Sequence, residues 1–271
     1  MAEPPRDPKI AEALARLYDV DLLEEPGDVD LYLALAARTG GPILELASGT
    51  GRIALPLVEA GYEVTAIDID PAMIARARKS VASAGPRSGA RLELVQADLV
   101  GLALRGGSRF RLAILALNSI LLLATRDRQL EALKTMARHL APGGLAVVDA
   151  WIPSADELAR YDGRMALEYV RTDPDSGQTV AKLTSAVHEP ATGHVQLTAI
   201  YEEGDQGAPA RRWVRHDRLR LLDADELGSL AEAADMEIEV LAGDYGLSPV
   251  GAQDERVILV ARRRDRPASR P

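Results

Sequence analysis

The run from Ile43 to Arg52, ILELASGTGR, constrains the fold of this chain more than any other stretch. Its first residues are apolar and read as a short buried strand over 43–47. Ala47, Ser48, Gly49 and Gly51 leave almost no side-chain volume, so the chain turns there and its backbone can approach a ligand closely. RIALPLVEAG, from Arg52 onward, reads as a helix over 52–60. The turn therefore lies at a helix N-terminus, where unpaired N–H groups and the macrodipole favour negative charge. A strand, a small-residue turn and a helix in that order begin an α/β layer fold.

Two carboxylates flank the turn. Glu45 lies on the strand before it, and Asp68 closes a second predicted strand, 63–67. The spacing from Gly49 suits a carboxylate reaching the ribose hydroxyls of a nucleoside laid across two strand ends. Two nucleoside cofactors fit. Gly49, Gly51 and Ala54 satisfy the G-x-G-x-x-A form that holds a dinucleotide pyrophosphate. Glu45 counts against that reading, because an anion beside a pyrophosphate is unfavourable. The sulfonium and ammonium of S-adenosylmethionine favour a nearby carboxylate. No Tyr here has a Lys four residues on, so the base pair of short-chain dehydrogenases is missing too.

From about Tyr18 to Arg263 the chain resembles the Rossmann-like (class I) S-adenosylmethionine-dependent methyltransferases. The matching segments are ELASGTGR (Glu45 to Arg52), AIDIDPAMIARAR (Ala66 to Arg78), QADL (Gln96 to Leu99), ALNSILLL (Ala116 to Leu123) and HLAPGGLAVVD (His139 to Asp149). The resemblance implies that Asp68 binds the ribose, Ile69 packs on the adenine and Asp98 accepts a hydrogen bond from the adenine amino group. It places the backbone of Ala47 and Leu117 near the methionine ammonium. Glu45, Ser48, Gly49, Gly51 and Leu99 complete the expected cofactor set.

A chain of 271 residues, 47% hydrophobic, can bury one large α/β core with an insertion. It has no Cys, which excludes disulfides, thiolate metal sites and a cysteine nucleophile, and its four His show no metal-ligand spacing; no metal is expected. The polar, Pro-rich start MAEPPRDPKI is neither a signal nor a transit segment, and no apolar run is long enough to span a bilayer. A cytoplasmic setting is expected. The net charge of −9 opposes nonspecific binding to nucleic acid or an anionic membrane, which favours a small-molecule acceptor.

Asp7-Pro8 opens a helix to about Leu23, and Asp28 is expected to cap a second through Ala37, the pair lying across the strand ends where the cofactor binds. Strand and helix signals then alternate: strands 43–47, 63–67, 91–96, 111–117 and 144–150, with helices 52–60, 71–84 and 126–140, the last ended by Pro142-Gly143-Gly144. Between Arg164 and Leu222 the period changes to two, which reads as an antiparallel meander of about four strands. Asp223 and Glu226 resemble a capping box before helix 224–234, and strands 236–242 and 255–262 finish the sheet. RPASRP at the end is expected to be disordered. The fold class is therefore a doubly wound, mostly parallel seven-stranded α/β sheet, with the antiparallel β-meander inserted after the fifth strand. Its expected parts are an N-terminal helical cap (1–40), a cofactor-binding core (41–163 and 223–265) and an inserted sheet (164–222) that forms a lid or a dimer interface. An insertion there resembles glycine N-methyltransferase and the sugar-nucleotide N,N-dimethyltransferases, and a homodimer is one expectation.

Methyl transfer from a sulfonium is an in-line displacement, so alignment and desolvation carry much of the work and a strong base is optional. Asn118, Asp149 and Tyr18 are the leading catalytic candidates, followed by Ser119, Trp151, Tyr32 and Asp244-Tyr245. Relatives of the sugar type carry a His shortly after the fourth strand; here that position is apolar, within Leu121 to Leu123. His139, at a predicted helix C-terminus, suits a structural cation. In RRWVRHDRLR (Arg211 to Arg220), strand alternation puts Arg212, His216, Arg218 and Arg220 on one face, which either holds an anionic acceptor or pairs with acidic neighbours such as Glu202 and Glu203. The expected activity is methyl transfer to nitrogen or oxygen of a small molecule. The rivals are an RNA or protein methyltransferase and a catalytically inactive cofactor-binding regulator. Calorimetry is expected to show binding of S-adenosylmethionine and S-adenosylhomocysteine and none of NAD; preferential NAD binding would overturn this reading of the glycine turn.

Overall fold

The structure, a computed structural model, describes residues 7–24, 26–107, 109–205 and 209–264. The RPASRP terminus lies outside them. Helices α1 (Pro8–Asp21) and α2 (Val29–Thr39) are followed by β1 (Ile43–Leu46), α3 (Ala54–Glu59), β2 (Val64–Asp68), α4 (Pro71–Ala84), the single turn α5 (Pro86–Gly89), β3 (Leu92–Gln96), β4 (Phe110–Leu115), α6 (Arg126–His139) and β5 (Leu140–Trp151). After the short α7 (Ala155–Leu158) come β6 (Asp162–Thr172), β7 (Thr179–Glu189), β8 (His194–Gly204) and β9 (Arg211–Arg220), then α8 (Ala224–Ala233), β10 (Met236–Ala242) and β11 (Arg256–Arg263).

Seven strands form one sheet in the order β10-β11-β5-β4-β1-β2-β3. Its neighbours run parallel except on either side of β11, which is antiparallel to both β5 and β10. β1 and β2 are buried at every position, the mark of strands covered on both faces. One apolar layer joins Leu44, Leu46, Leu115 and Val148 to Leu133 of α6 and Leu230 of α8. The opposite layer joins Ile43, Ala66, Ile114 and Val147 to Leu35 of α2 and Leu57 of α3. α2 is thus a layer on the sheet face and not, as expected, a cap across the strand ends. The alternation of β and α signals implied this double winding, and the sheet carries it.

Three local expectations are corrected. Helix α6 ends at His139, and Pro142 to Gly144 lie inside β5 as a bulge: pairing with β4 passes from Phe110↔Leu140 to Leu112↔Leu145, which leaves three residues of β5 unmatched. Asp28 stands at the start of α2 without a capping hydrogen bond from its side chain. Asp223 does cap α8, accepting the Glu226 N–H at 2.7 Å, but the Glu226 carboxylate turns to Arg220 instead of closing the box.

The inserted strands form a separate antiparallel sheet in chain order, β6-β7-β8-β9. Helix α1 covers one face of it. Leu14, Leu17 and Val20 pack on Val180, Ala199 and Tyr201, and the helix C-terminal end carries Asp21, which accepts hydrogen bonds from the Tyr169 hydroxyl at 2.6 Å and the Tyr201 hydroxyl at 2.7 Å. Lys182 Nζ lies 3.1 Å from the same carboxylate. Hydrogen bonds to a charged acceptor contribute about 1.5–3 kcal/mol each, so this side chain adds a strong polar tie to the apolar contact between helix and insertion. Asp21→Ala is expected to lower unfolding stability by about 3 kcal/mol, read by denaturant unfolding; a loss below a few tenths would mean that apolar packing alone fixes α1.

Candidate active site

The strand ends gather acid on one face of the main sheet. Side chains on a strand alternate, and Ile43, Ala66 and Val147 belong to the layer under α2 and α3, so Glu45, Asp68 and Asp149, two residues on, face the same way. Glu45 is 3% exposed, Asp68 6% and Asp149 fully buried, as is Asp28 at the mouth of α2. Four buried carboxylates need compensation. Arg52, the last residue of the turn motif, makes a bidentate pair with Asp28, with both bonds at 2.6 Å. Asp149 accepts from Arg256 Nη1 at 2.5 Å and from the Tyr245 hydroxyl at 3.1 Å. Two resident cations thus serve Asp28 and Asp149 directly.

Glu45 has no such partner. Its Oε2 is buried without a hydrogen bond, and burial pushes its carboxyl up to about 8, with Arg52 offsetting part of the cost and Asp68 and Asp28 adding to it. Burial also raises the Asp68 carboxyl, against the pull of the Ile69 N–H and of two closely hydrogen-bonded backbone donors. Those donors are the Gly49 N–H at 2.8 Å on Oδ2 and the Asp70 N–H at 2.9 Å on Oδ1. Each oxygen keeps a lone pair for a further donor such as a hydroxyl.

The turn itself is held in left-handed backbone at Ala47 (φ 53°), Gly49 (φ 55°) and Gly51 (φ 84°). Their surroundings are close as well: a Cβ at Gly51 would lie 3.3 Å from the Ala77 Cβ of α4, tighter than ordinary contact, and one at Gly49 would touch the Tyr18 ring at 3.4 Å, so it is the positive φ that calls for glycine at both. Tyr18 therefore closes over the turn from α1. Burial pushes its hydroxyl up to about 12, although Arg52 and Arg215 work the other way, so it is a neutral donor or acceptor. Ser48 Oγ is buried without a partner.

Leu117 (φ 45°) and Asn118 (φ 63°), just past β4, are left-handed as well. A pair of non-glycine residues there is strained backbone of the kind that sites retain. Asn118 staples β4 to β5: its N–H donates to the Asp149 carbonyl at 3.1 Å and its Oδ1 accepts the Trp151 N–H at 2.6 Å. Its Oδ1 is thereby committed to the backbone of β5. Trp151 packs on Tyr161, with ring centroids 6.0 Å apart.

Ile69 is half-buried beside Asp68, while Leu99 is 2% exposed with its side chain in the core, so only its backbone faces outward chemistry. Asp98 accepts the Val100 N–H and an Arg128 N–H, both at 2.9 Å. Burial alone would raise its carboxyl; these donors more than offset that and hold it below the ordinary range. Tyr32 is fully buried among apolar side chains, with a hydroxyl that has no partner. His139 is structural but not a cation: burial lowers its pKa, and its Nε2 accepts the Leu104 N–H at 3.0 Å. The arginines of β9 are paired rather than poised. Arg212 meets Glu202, Arg218 meets Glu189 at 3.3 Å, and Arg220 meets Gln129 at 2.6 Å and Glu226 at 2.8 Å. The inner-face Arg215, half-buried and paired with Asp217 at 2.7 Å, is the one near Tyr18. Sequence reasoning missed Asp28, Arg128, Arg215 and Arg256, because nothing local marks an ion-pair partner far along the chain.

A family model described as a methyltransferase domain matches residues 43–144, the segment from β1 into β5 that builds this face. Over 260 residues, 94% of this chain and 97% of the relative, the sequence is 30% identical to YqeM of Bacillus subtilis strain 168, which carries a methyltransferase name. The chain belongs to the S-adenosylmethionine-dependent methyltransferases. This methyltransferase is also 24% identical, over 82% of its length and 86% of the relative's, to the dTDP-3-amino-3,4,6-trideoxy-alpha-D-glucopyranose N,N-dimethyltransferase of Streptomyces venezuelae. Its fold matches that of the CcbJ methyltransferase from Streptomyces caelestis with a TM-score of 0.76, at 24% identity, covering 90% of this chain and 96% of that one.

S-adenosylmethionine is the cofactor, and the orphaned Glu45 oxygen, the unpaired Ser48 hydroxyl and the Gly49 cradle fit a cationic ligand with hydroxyl groups. Among the described residues no group of three His, Cys, Asp or Glu could hold a metal ion, and no helix is long and apolar enough to cross a membrane. Glu45 also sets a pH dependence. Its carboxyl ionises near 4.5 in the unfolded chain and near 8 in the folded one. Unfolding therefore releases its proton between those values, and the stability Glu45 contributes below the lower one is lost as pH rises toward the upper one. Ligand-free Glu45→Gln is expected to gain stability relative to the parent between pH 5 and pH 8 in thermal melts; parallel profiles would mean that Glu45 is ionised and paired in the free protein.

Proposed function

We propose that this methyltransferase acts on a small molecule, at nitrogen or oxygen, with an amine the favoured acceptor. The observation that carries the reading is the surplus of buried carboxylate at the strand ends: Glu45, Asp68, Asp149 and Asp28 against the direct pairing of Arg52 and Arg256. Such a site selects positively charged and hydrogen-bond-donating ligands. An acceptor that arrives as an ammonium suits it better than an anion does. The amino-sugar methyltransferase among its relatives, named for transfer to nitrogen, supports the same choice.

In this reading Glu45 and the backbone of Ala47 and Leu117 hold the methionine ammonium, Asp68 holds the ribose hydroxyls on its free lone pairs, and Gly49 and Gly51 let the chain approach. Ile69 packs on the adenine, whose amino group donates to Asp98, and Ser48 and Leu99 line the same groove. When bound, the cofactor supplies an electrophilic methyl group on a sulfonium, a good leaving group. The chain's own task is to orient the acceptor and exclude water. Tyr18, neutral to about 12, orients the acceptor by a hydrogen bond and does not act as a strong base. The Asn118 NH2 donates to the acceptor. Asp149, with both oxygens bonded, positions Tyr245 and Arg256.

The test is turnover of methyl donor over a panel of amines, amino-sugar nucleotides, alcohols, short peptides and RNA, with the methylated atom read by mass spectrometry. Methylated amine is the expected product. Preference for RNA or peptide would overturn the small-molecule reading, and binding of S-adenosylhomocysteine with no turnover would favour an inactive regulator. In the same assay Asp68→Ala removes an acceptor for two hydroxyls, each bond worth about 1.5–3 kcal/mol, so S-adenosylhomocysteine affinity should fall at least about tenfold. Unchanged affinity in a folded variant would place the ribose elsewhere.

A further inference from the structure

Large apolar side chains exposed among the described residues are Ile10, Leu23, Met165, Leu167, Val170, Val187 and Val214. The last five share one surface, the face of the inserted sheet turned away from α1. The register places them there. Tyr169, Lys182, Tyr201 and Trp213 are cross-strand neighbours on the inner side, with Tyr169, Tyr201 and Trp213 packed in the cluster that α1 covers. The adjacent row, Leu167↔Leu183↔Ile200↔Val214, therefore points outward and is apolar across all four strands. Val170 lies in the outward row on one side of it, and Met165 and Val187 lie on the other. An antiparallel sheet with one packed face turns a polar face to water. This sheet is apolar in the middle of both faces, so it lacks a layer.

Charge points to the identity of that layer. At the edges of the outer face Arg212 is matched by Glu202 and Arg218 by Glu189, so the acids and bases there cancel, in a chain whose net charge is −9. A second copy carries the same negative field and can approach only where that field is neutral. Size agrees. Four strands of ten or eleven residues, at about 4.8 Å by 3.3 Å per residue, present roughly 600 Å² per copy. Two such faces bury about 1,200 Å², the lower bound of stable interfaces.

We propose that this outer face packs against the same face of a second copy of the chain, as a symmetric dimer with the two inserted sheets at its centre. A self-complementary patch, apolar at its core with paired charges at its rim, is what an isologous contact requires. The proposal stands apart from the choice of acceptor, since no residue in it belongs to the cofactor turn.

Sedimentation equilibrium at micromolar concentration is expected to give twice the 29.1 kDa chain mass. In the double variant Leu167→Glu/Val214→Glu, four unpaired charges would enter the contact, and the dimer Kd is expected to rise by about 100-fold or more. Both positions are exposed in the single chain, so S-adenosylhomocysteine affinity should stay within about threefold, below the tenfold that 1.4 kcal/mol produces. The matching pair Leu167→Lys/Val214→Lys should also be monomeric, and an equimolar mixture of the two variants should recover the dimer. A monomeric parent chain, or a dimer untouched by the glutamates, would overturn the proposal. So would a monomeric parent that instead binds lipid vesicles through these residues.

Discussion

Everything at the strand ends depends on keeping carboxylates ionisable where water is excluded. Asp28 and Asp149 are fully buried, and each is met by an arginine brought from another element, Arg52 and Arg256. Removing either partner would leave an uncompensated buried charge, the costliest kind of vacancy in a fold. Glu45 is left without such a partner, and its carboxyl is correspondingly pushed toward the neutral form. A fold keeps a group so poorly satisfied where a ligand completes it. The left-handed backbone at Ala47, Leu117 and Asn118 belongs to the same pattern of local cost at one place.

Helix α1 ties this centre to the insertion. Next to Tyr18, Asp19 accepts from Thr50 of the turn at 2.6 Å and pairs with Arg76 of α4. Arg76 also reaches Asp175, in the loop between β6 and β7, at 2.8 Å. Arg16 of the same helix grips Asp173 and Glu203 of the inserted sheet. The insertion is therefore linked to the turn at Gly49 through one helix and a few carboxylates. Holding the outer face of that sheet against a second copy would stiffen the same path from behind.

The parts of this fold legible in the sequence were those set by local chemistry. Small residues at Ala47 to Gly51 dictate a turn wherever they follow an apolar strand, and the helix expected over 71–84 is α4 with those bounds, its first turn opened by Pro71 and capped by Asp70. The ion pairs were not legible, since Asp28 and Arg52 are 24 positions apart and Asp149 and Arg256 are 107 apart. Asp28 shows how a local rule misleads: it is a good cap by type, yet its carboxylate turns to Arg52. The outer apolar row was hidden for a different reason. A bulge between Leu167 and Tyr169 puts both faces' residues at odd positions of β6, so alternation counted along the strand cannot tell which face Leu167 joins. In β9 alternation did separate the faces, and of the two readings of its arginines the pairing with acidic neighbours is the one observed: Glu202 meets Arg212 as named, while Glu189 and Glu226, the partners of Arg218 and Arg220, were not named.

An acidic site raises a difficulty for an amine acceptor, because carboxylates favour the ammonium and only the free amine is a nucleophile. The arrangement of charges answers it. Asp28 and Asp149 are already paired within the protein, and burial holds Glu45 toward its neutral form while the site is empty, so Asp68 is the carboxylate left to meet an ammonium. On the proposed assignment Glu45 ionises against the cofactor's own ammonium, and Asp68 accepts the ribose hydroxyls. In the loaded site neither carboxylate is then left without a partner to hold the acceptor as an ammonium. A neutral Tyr18 then has only to orient the lone pair. On the proposed assignment the expected order is cofactor before acceptor, because the cofactor's ammonium completes the Glu45 oxygen that has no hydrogen bond in the free protein.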